Sequence, residues 1–296
     1  GCPVVIDLWR HKEITFPSVV HSNADISSEN TWTNVSGHTM CVEKDEKKMM
    51  FLIREHILAL LGDHTVSIEE ALLESFYILL ELYKNQPITP ELVEEYFSPE
   101  TLLQLRTAIT QAKSTISSLE TWEECNELLQ DLAVNYRKEG LYRNYLNPVI
   151  EKAEELSGLF ENIGNPADAA EQNADLKTEM ADRMHAFESE FQAYNPLMRK
   201  FLINEFNADL LMPDGDLESL LVQYQWIAME YGVIRHSIFL RWLLDGQKEI
   251  AYETVRDYIV IICRMTGYDE EDIYEYLENS FEELVWDWGY LALVVG

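Results

Sequence analysis

Arg235 and His236 interrupt the most apolar stretch of the sequence, Leu220 to Leu244. A guanidinium buried there without a partner is costly, so Arg235 must find a carboxylate or face a cavity that admits an anion. Glu230, on the same expected helix, is the obvious structural partner, and a ligand anion is the functional alternative. Cys263 lies in a second apolar run, Val260-Ile-Ile-Cys-Arg264. A thiol in such a run reads as a small core residue. Activating it needs a neighbouring cation or a helix N-terminus, and Arg264 alone does not supply that.

His11, His21 and His38 fall with Cys2 and Cys41 in one short segment. Zinc accepts such ligands, but these spacings match no established ligand pattern. Glu55-His56 and Glu69-Glu70 offer further polar pairs. A carboxylate-bridged metal pair in a helical bundle needs Glu-x-x-His on two helices, and the sequence contains no Glu-x-x-His. These residues therefore read as solvated helix charges, and no metal is expected. Trp286, Asp287 and Trp288 read as aromatic anchors for the last helix. Glycine-rich phosphate loops, nucleophile elbows and paired-acid signatures are missing. By themselves the residues point to no catalytic constellation.

Charge narrows the choice of partners. Lys and Arg total 22 against 53 Asp and Glu, a net charge of −31. Nucleic acid is a poor partner for such a chain, because phosphate binding needs clustered Lys and Arg. The densest basic run, Lys44 to Lys48, is interrupted by Asp45 and Glu46. Basic or lysine-bearing proteins suit the field better, although the same acidity also serves solubility alone. No apolar run approaches the roughly 20 residues that span a bilayer. The four cysteines, Cys2, Cys41, Cys125 and Cys263, are scattered and form no Cys-x-x-Cys pair. In a chain of 296 residues they suggest a reducing compartment, the cytoplasm, rather than a disulfide framework.

With 47% hydrophobic and 25% charged residues the chain can bury a core, and its periodicity is helical almost throughout. Residues 1–45 are the exception: Cys2 to Trp9 opens as either a short strand or a helix start, and His21 to Thr39 reads as loop. From Lys47 helical spacing takes over and stops at Gly62. Ser67 and Glu70 form a capping box for the next helix. Thr89-Pro90 and Ser98-Pro99 each place a cap before proline at the first helical position, the second helix running to about Leu119. Thr121-Trp-Glu-Glu124 is read as another capping box. Helices follow to about Lys138, over Leu141 to Phe160, and as one long polar surface helix over Asp168 to Tyr194. Gly164-Asn165-Pro166 marks a break between residues 46–164 and 165–296, either two packed lobes or one continuous domain. Asn195-Pro196 opens a helix, Leu217 to Leu244 is the expected core helix, and Tyr252 to Thr266, Glu270 to Asn279 and Phe281 to Val295 complete the chain. The expected fold is all-α, an irregular multi-helix bundle with an irregular N-terminal segment.

Several stretches, in chain order, resemble the bacterial flagellin lysine-N-methylase family. Cys2-Pro-Val-Val-Ile-Asp-Leu resembles the family's Ser-Cys-Pro segment. Ile53-Arg54-Glu-His-Ile-Leu-Ala-Leu-Leu61 with Val66-Ser67-Ile-Glu-Glu-Ala-Leu-Leu73 resembles its helical pair with Ile-Arg and Tyr-Ser-Leu-Glu-x-x-Leu features. Phe201-Leu-Ile-Asn-Glu-Phe206 and Glu230-Tyr-Gly-Val-Ile-Arg235 resemble its Asn-Tyr-Leu-x-x-x-Leu-Phe and Tyr-Ala-Leu-x-Arg stretches. The resemblance implies methylation of lysine side chains on flagellin, with S-adenosylmethionine as donor and an iron–sulfur cluster held by N-terminal cysteines. That cysteine cluster is absent here, with Cys2 its one remnant, and the family's late Ser-Arg-x-x-Glu-His appears as Cys263-Arg-Met-Thr-Gly-Tyr268. The chain is thus expected to be the helical C-terminal part of such an enzyme, or a relative without the cluster chemistry. Arg54, Arg235 and Arg264 are its candidate anchors for a carboxylate or for cofactor anions. The alternative is a non-enzymatic acidic scaffold that binds a basic protein.

Overall fold

The computed structural model describes residues 3–11, 39–164, 170–209, 216–265 and 287–296, and among them every regular element is helical. Pro3–His11 is helix α1, which decides the open reading of the first residues: Ile6 and Trp9 turn inward and are buried. Helix α2, Thr39–Gly62, starts well before Lys47 and so reaches into the segment expected to be irregular. Helix α3, Ile68–Lys84, begins as its capping box requires, with Ser67 Oγ accepting from Glu70 N–H and Glu70 accepting from Ser67 N–H. Thr89 and Ser98 cap α4, Pro90–Tyr96, and α5, Pro99–Lys113, each with proline in the first turn. Helix α5 ends short of Leu119.

The cap read at Thr121 belongs four residues earlier. Helix α6, Ser118–Glu139, is capped by Ser117, whose box is completed by Glu120. Thr121 and Trp122 lie inside the helix and are buried, so the helix must start before them to hold them in the core. Gly140 closes α6 with φ 72, in the left-handed region where a Cβ is disfavoured. Helix α7, Arg143–Gly164, returns alongside α6.

The stretch expected as one polar surface helix divides into α8, Ala170–Phe191, and a 3₁₀ turn, Gln192–Tyr194. It is not a surface element alone, because Met180, Met184, Phe187 and Phe191 are buried against the core. Helix α9, Asn195–Asp209, precedes α10, Leu217–Leu244, then α11, Tyr252–Met265, and α12, Trp288–Val295. The helix expected over Glu270 to Asn279 and the residues from Phe281 to Trp286 lie outside the described residues. So do the candidate zinc ligands Cys2, His21 and His38 and the side chains of His11 and Cys41.

Helix α10 is the axis of the fold, and every residue from Tyr224 to Leu240 is buried. It packs against α3, α6, α7, α9, α11 and α12. Each large apolar side chain buried this way contributes about 1.5–3 kcal/mol, so a helix covered all round needs no amphipathic stripe. Buried residues from before and after Gly164 belong to one hydrophobic cluster.

The crossing of α10 with α12 depends on Gly232. A Cβ there would lie 2.8 Å from the Val294 carbonyl oxygen, a backbone atom with little room to yield. Gly232→Ala is expected to cost about 1–3 kcal/mol through overpacking. Gly158, in α7, has nothing within 4 Å of its Cβ position, and Gly158→Ala should gain up to about 1 kcal/mol from helix propensity. Urea denaturation of the two variants checks the contrast, and equal effects would contradict it.

Candidate functional site

Two features share α3 and α12. The first is an ion pair between a buried Arg235 and a partly buried Glu69. Tyr231 and Arg235 stand one turn apart on α10 and face Glu69, which sits in the first turn of α3. Glu69 Oε1 accepts from the Tyr231 hydroxyl at 2.6 Å and from Arg235 Nη1 at 3.0 Å. Arg235 Nη1 also donates to the Val295 carbonyl at 3.4 Å, so the pair ties α12 into the bundle. The guanidinium lies 5.6 Å from the Trp122 ring centroid. Burial by itself would raise the Glu69 carboxyl, but the Arg235 charge and the Tyr231 hydrogen bond hold it below the usual carboxylate range. Burial pushes the Tyr231 hydroxyl well up, reinforced by the Glu69 charge. The carboxylate that meets Arg235 thus comes from another helix, whereas the expected partner was Glu230.

The two described thiols and His236 are structural in character. Cys125 donates to the Val294 carbonyl, and burial pushes its thiol up to about 12. Cys263 is buried with its thiol raised well above normal by burial, which agrees with its reading as a core residue. His236 contacts Asn126 Oδ1 through Nε2 at 3.0 Å. Elsewhere, Glu74, fully buried, receives Arg106 Nε at 2.7 Å and Nη2 at 3.3 Å.

The second feature is a groove of about 410 Å³ between α3, α4, α5 and α12. Its walls are Tyr77 of α3, Tyr96 of α4 and Trp288 of α12, and Ile78, Leu105 and Ile109 supply much of the apolar lining. Ala108 and Ala112, one turn apart on α5, leave the space open. The indole of Trp288 is pinned by its N–H bond to the Leu73 carbonyl at 3.1 Å. Asn85 Nδ2 donates to the Tyr96 hydroxyl at 3.3 Å. Burial raises the Tyr96 hydroxyl, and so do the charges of Glu81 and Glu95. The polar lining residues are the two tyrosines, the tryptophan, Thr101 and Gln104; no carboxylate, Lys or Arg is among the lining residues.

The three arginines singled out in the sequence have different partners on different helices. Arg54 is buried in α2 and donates to Asn207 Oδ1 at 2.6 Å, while its Nε is buried without a partner. Arg235 is engaged by Glu69, and Arg264, exposed near the end of α11, donates to the Tyr142 hydroxyl at 3.1 Å. Tyr77 and Tyr96 carried no signal that marked them in the sequence, since aromatic residues at helical spacing read equally well as core. Trp288 was recognised as an anchor, and it is one.

Among the described residues no three His, Cys, Asp or Glu side chains come together as a metal site. The two described thiols are buried in different helices and held protonated by that burial. These residues do not fit an iron–sulfur cluster. No described helix is long and apolar enough to cross a membrane. No curated protein and no solved structure matches the chain. The family model described as FliB lysine N-methylase C-terminal domain matches residues 54–294, a span that holds both the ion pair and every wall of the groove. The chain therefore belongs to the FliB lysine N-methylase C-terminal domain family.

Proposed function

We propose that this chain is the helical C-terminal part of a protein-lysine N-methylase of the flagellin type, and that it works by holding a lysine-bearing acceptor protein. The family match over residues 54–294 carries the reading. The charge of −31 supports it, because such a field draws in a basic acceptor and slows its escape. On this reading the protein works in the cytoplasm, before the acceptor is exported. The described cysteines, buried on separate helices, would not hold the cluster that the resemblance implies. Arg54 and Arg264 are the proposed anchors for an acceptor or donor carboxylate; Arg235 is assigned to the ion pair.

Calorimetric titration of the chain with purified flagellin tests the acceptor-holding role. The expected result is saturable binding that weakens about tenfold or more between 50 and 200 mM salt, as screening of a long-range attraction requires. Absence of binding, or binding indifferent to salt, would contradict it. Binding of any basic protein equally well, with no preference for flagellin, would favour the acidic scaffold instead.

A further inference from the structure

We propose that the groove between α3, α5 and α12 binds an N-methylated lysine side chain of the acceptor protein, a role that rests on the methylase reading given above. The observation behind it is the pairing of three aromatic walls, Tyr77, Tyr96 and Trp288, with an apolar floor and an acidic surrounding.

The chemistry of the lining selects between lysine and its methylated forms. A lysine ammonium carries three N–H donors and is strongly hydrated, so a site built for it supplies carboxylates or carbonyls. No carboxylate lines this groove, and Thr101 and Gln104 are the non-aromatic polar residues there. Each added methyl removes a donor and adds apolar surface while the charge remains. Such a weakly hydrated cation is attracted to aromatic faces, and its methyl groups and the side-chain stem fit against Ile78, Leu105 and Ile109.

Charge completes the selection. Glu81 and Glu95 stand close enough to act on the Tyr96 hydroxyl, and they favour a cation over a neutral or anionic occupant. Glu81 is paired with Lys84 at 3.0 Å, so those two charges largely cancel and Glu95 supplies the nearby excess, while Lys113 lies in the last turn of α5. The net field of the chain remains strongly negative. The walls are also fixed in advance: Trp288 is pinned to Leu73, and Asp287 caps α12 through Gly289 and Tyr290. A site of this kind retains an acceptor after its first lysine has been modified, which keeps neighbouring lysines within reach.

The test titrates the full chain with one uncharged-context pentapeptide made in four forms, bearing lysine or mono-, di- or trimethyl-lysine. Affinity is expected to rise along the series, by roughly fivefold or more from lysine to trimethyl-lysine. Tyr77→Ala and Ala108→Leu should bring the trimethyl peptide back to the level of the lysine peptide. Both positions are exposed, so an unchanged thermal midpoint shows that the fold is intact. Equal affinity for the four peptides, or a preference that survives both substitutions, would overturn the proposal. The probes arrive already methylated, so no transfer reaction is needed. A methyl preference in a chain that fails to bind flagellin would remove the acceptor-holding reading but leave the site, and flagellin binding without a methyl preference would remove the site alone.

Discussion

Glu69→Ala is expected to destabilise the protein by about 3 kcal/mol or more, because it leaves a buried guanidinium without its counter-charge. Arg235 is 7% exposed. Without Glu69 it keeps the Val295 carbonyl at 3.4 Å, the Trp122 ring at 5.6 Å and the more distant charge of Glu188, none of which is a carboxylate in direct contact with it. The Tyr231 hydroxyl loses its acceptor in the same step. Glu69→Gln keeps an oxygen in place and should cost less. Replacing both partners, Glu69→Leu with Arg235→Met, should recover most of the loss, since apolar residues of similar volume need no desolvated charge. Urea denaturation of the single and double variants measures the coupling. A loss below 1 kcal/mol for Glu69→Ala would show that the pair does not hold α3, α10 and α12 together. The acid limb has a defined sign: Glu69 titrates below its unfolded value, so its contribution is present above roughly pH 4.3 and is lost as pH falls through the folded value.

A second large effect is expected from acid acting on His236. The ring is 1% exposed. Asn126 Nδ2 already donates to the Ala153 carbonyl and to Ser157 Oγ, both at 2.8 Å. Its Oδ1 is therefore the acceptor, and His236 Nε2 must carry the proton of the neutral ring. Nδ1 is buried without a partner, and protonating it would place a second cation beside Arg235. Burial first, and the Arg235 charge second, lower the folded value from 6.5 to about 3. A depressed value means that the contribution is full above pH 6.5 and declines as pH falls toward the folded value. From pH 6.5 to pH 4 the loss is roughly 3 kcal/mol at about 1.4 kcal/mol per unit. His236→Gln retains a donor for Asn126 but cannot titrate, so its stability should fall less by about that amount over the same interval. Parallel pH profiles for the parent and the variant would contradict the assignment.

The helical fold was legible because its signals are local. Ser67 with Glu70, Thr89-Pro90 and Ser98-Pro99 each satisfy helix-end donors within a few residues, and the core helix Leu217–Leu244 is apolar on all sides. The cap at Ser117 was missed because Ser117-x-x-Glu120 and Thr121-x-x-Glu124 fit the same pattern. The choice is made by the core, which needs Trp122 inside the helix, 2% exposed and 4.1 Å from Phe239 between ring centroids. The Glu69–Arg235 pair joins residues 166 positions apart, so no spacing rule along α10 could find it. The groove was illegible for a different reason. It exists because Ala108 and Ala112 are small opposite Tyr77 and Trp288, and missing volume on one helix says nothing until the facing helix is placed.

The proposed part of this chain in the N-methylation of lysine on flagellin can be read from cells. Mass spectrometry of flagellin lysines compares cells that carry the gene for this protein with cells that lack it. N-methyl-lysine is expected in the first preparation and is expected to be lost from the second, with restoration when the gene is returned. Identical lysine methylation in both preparations, or none in either, would contradict it.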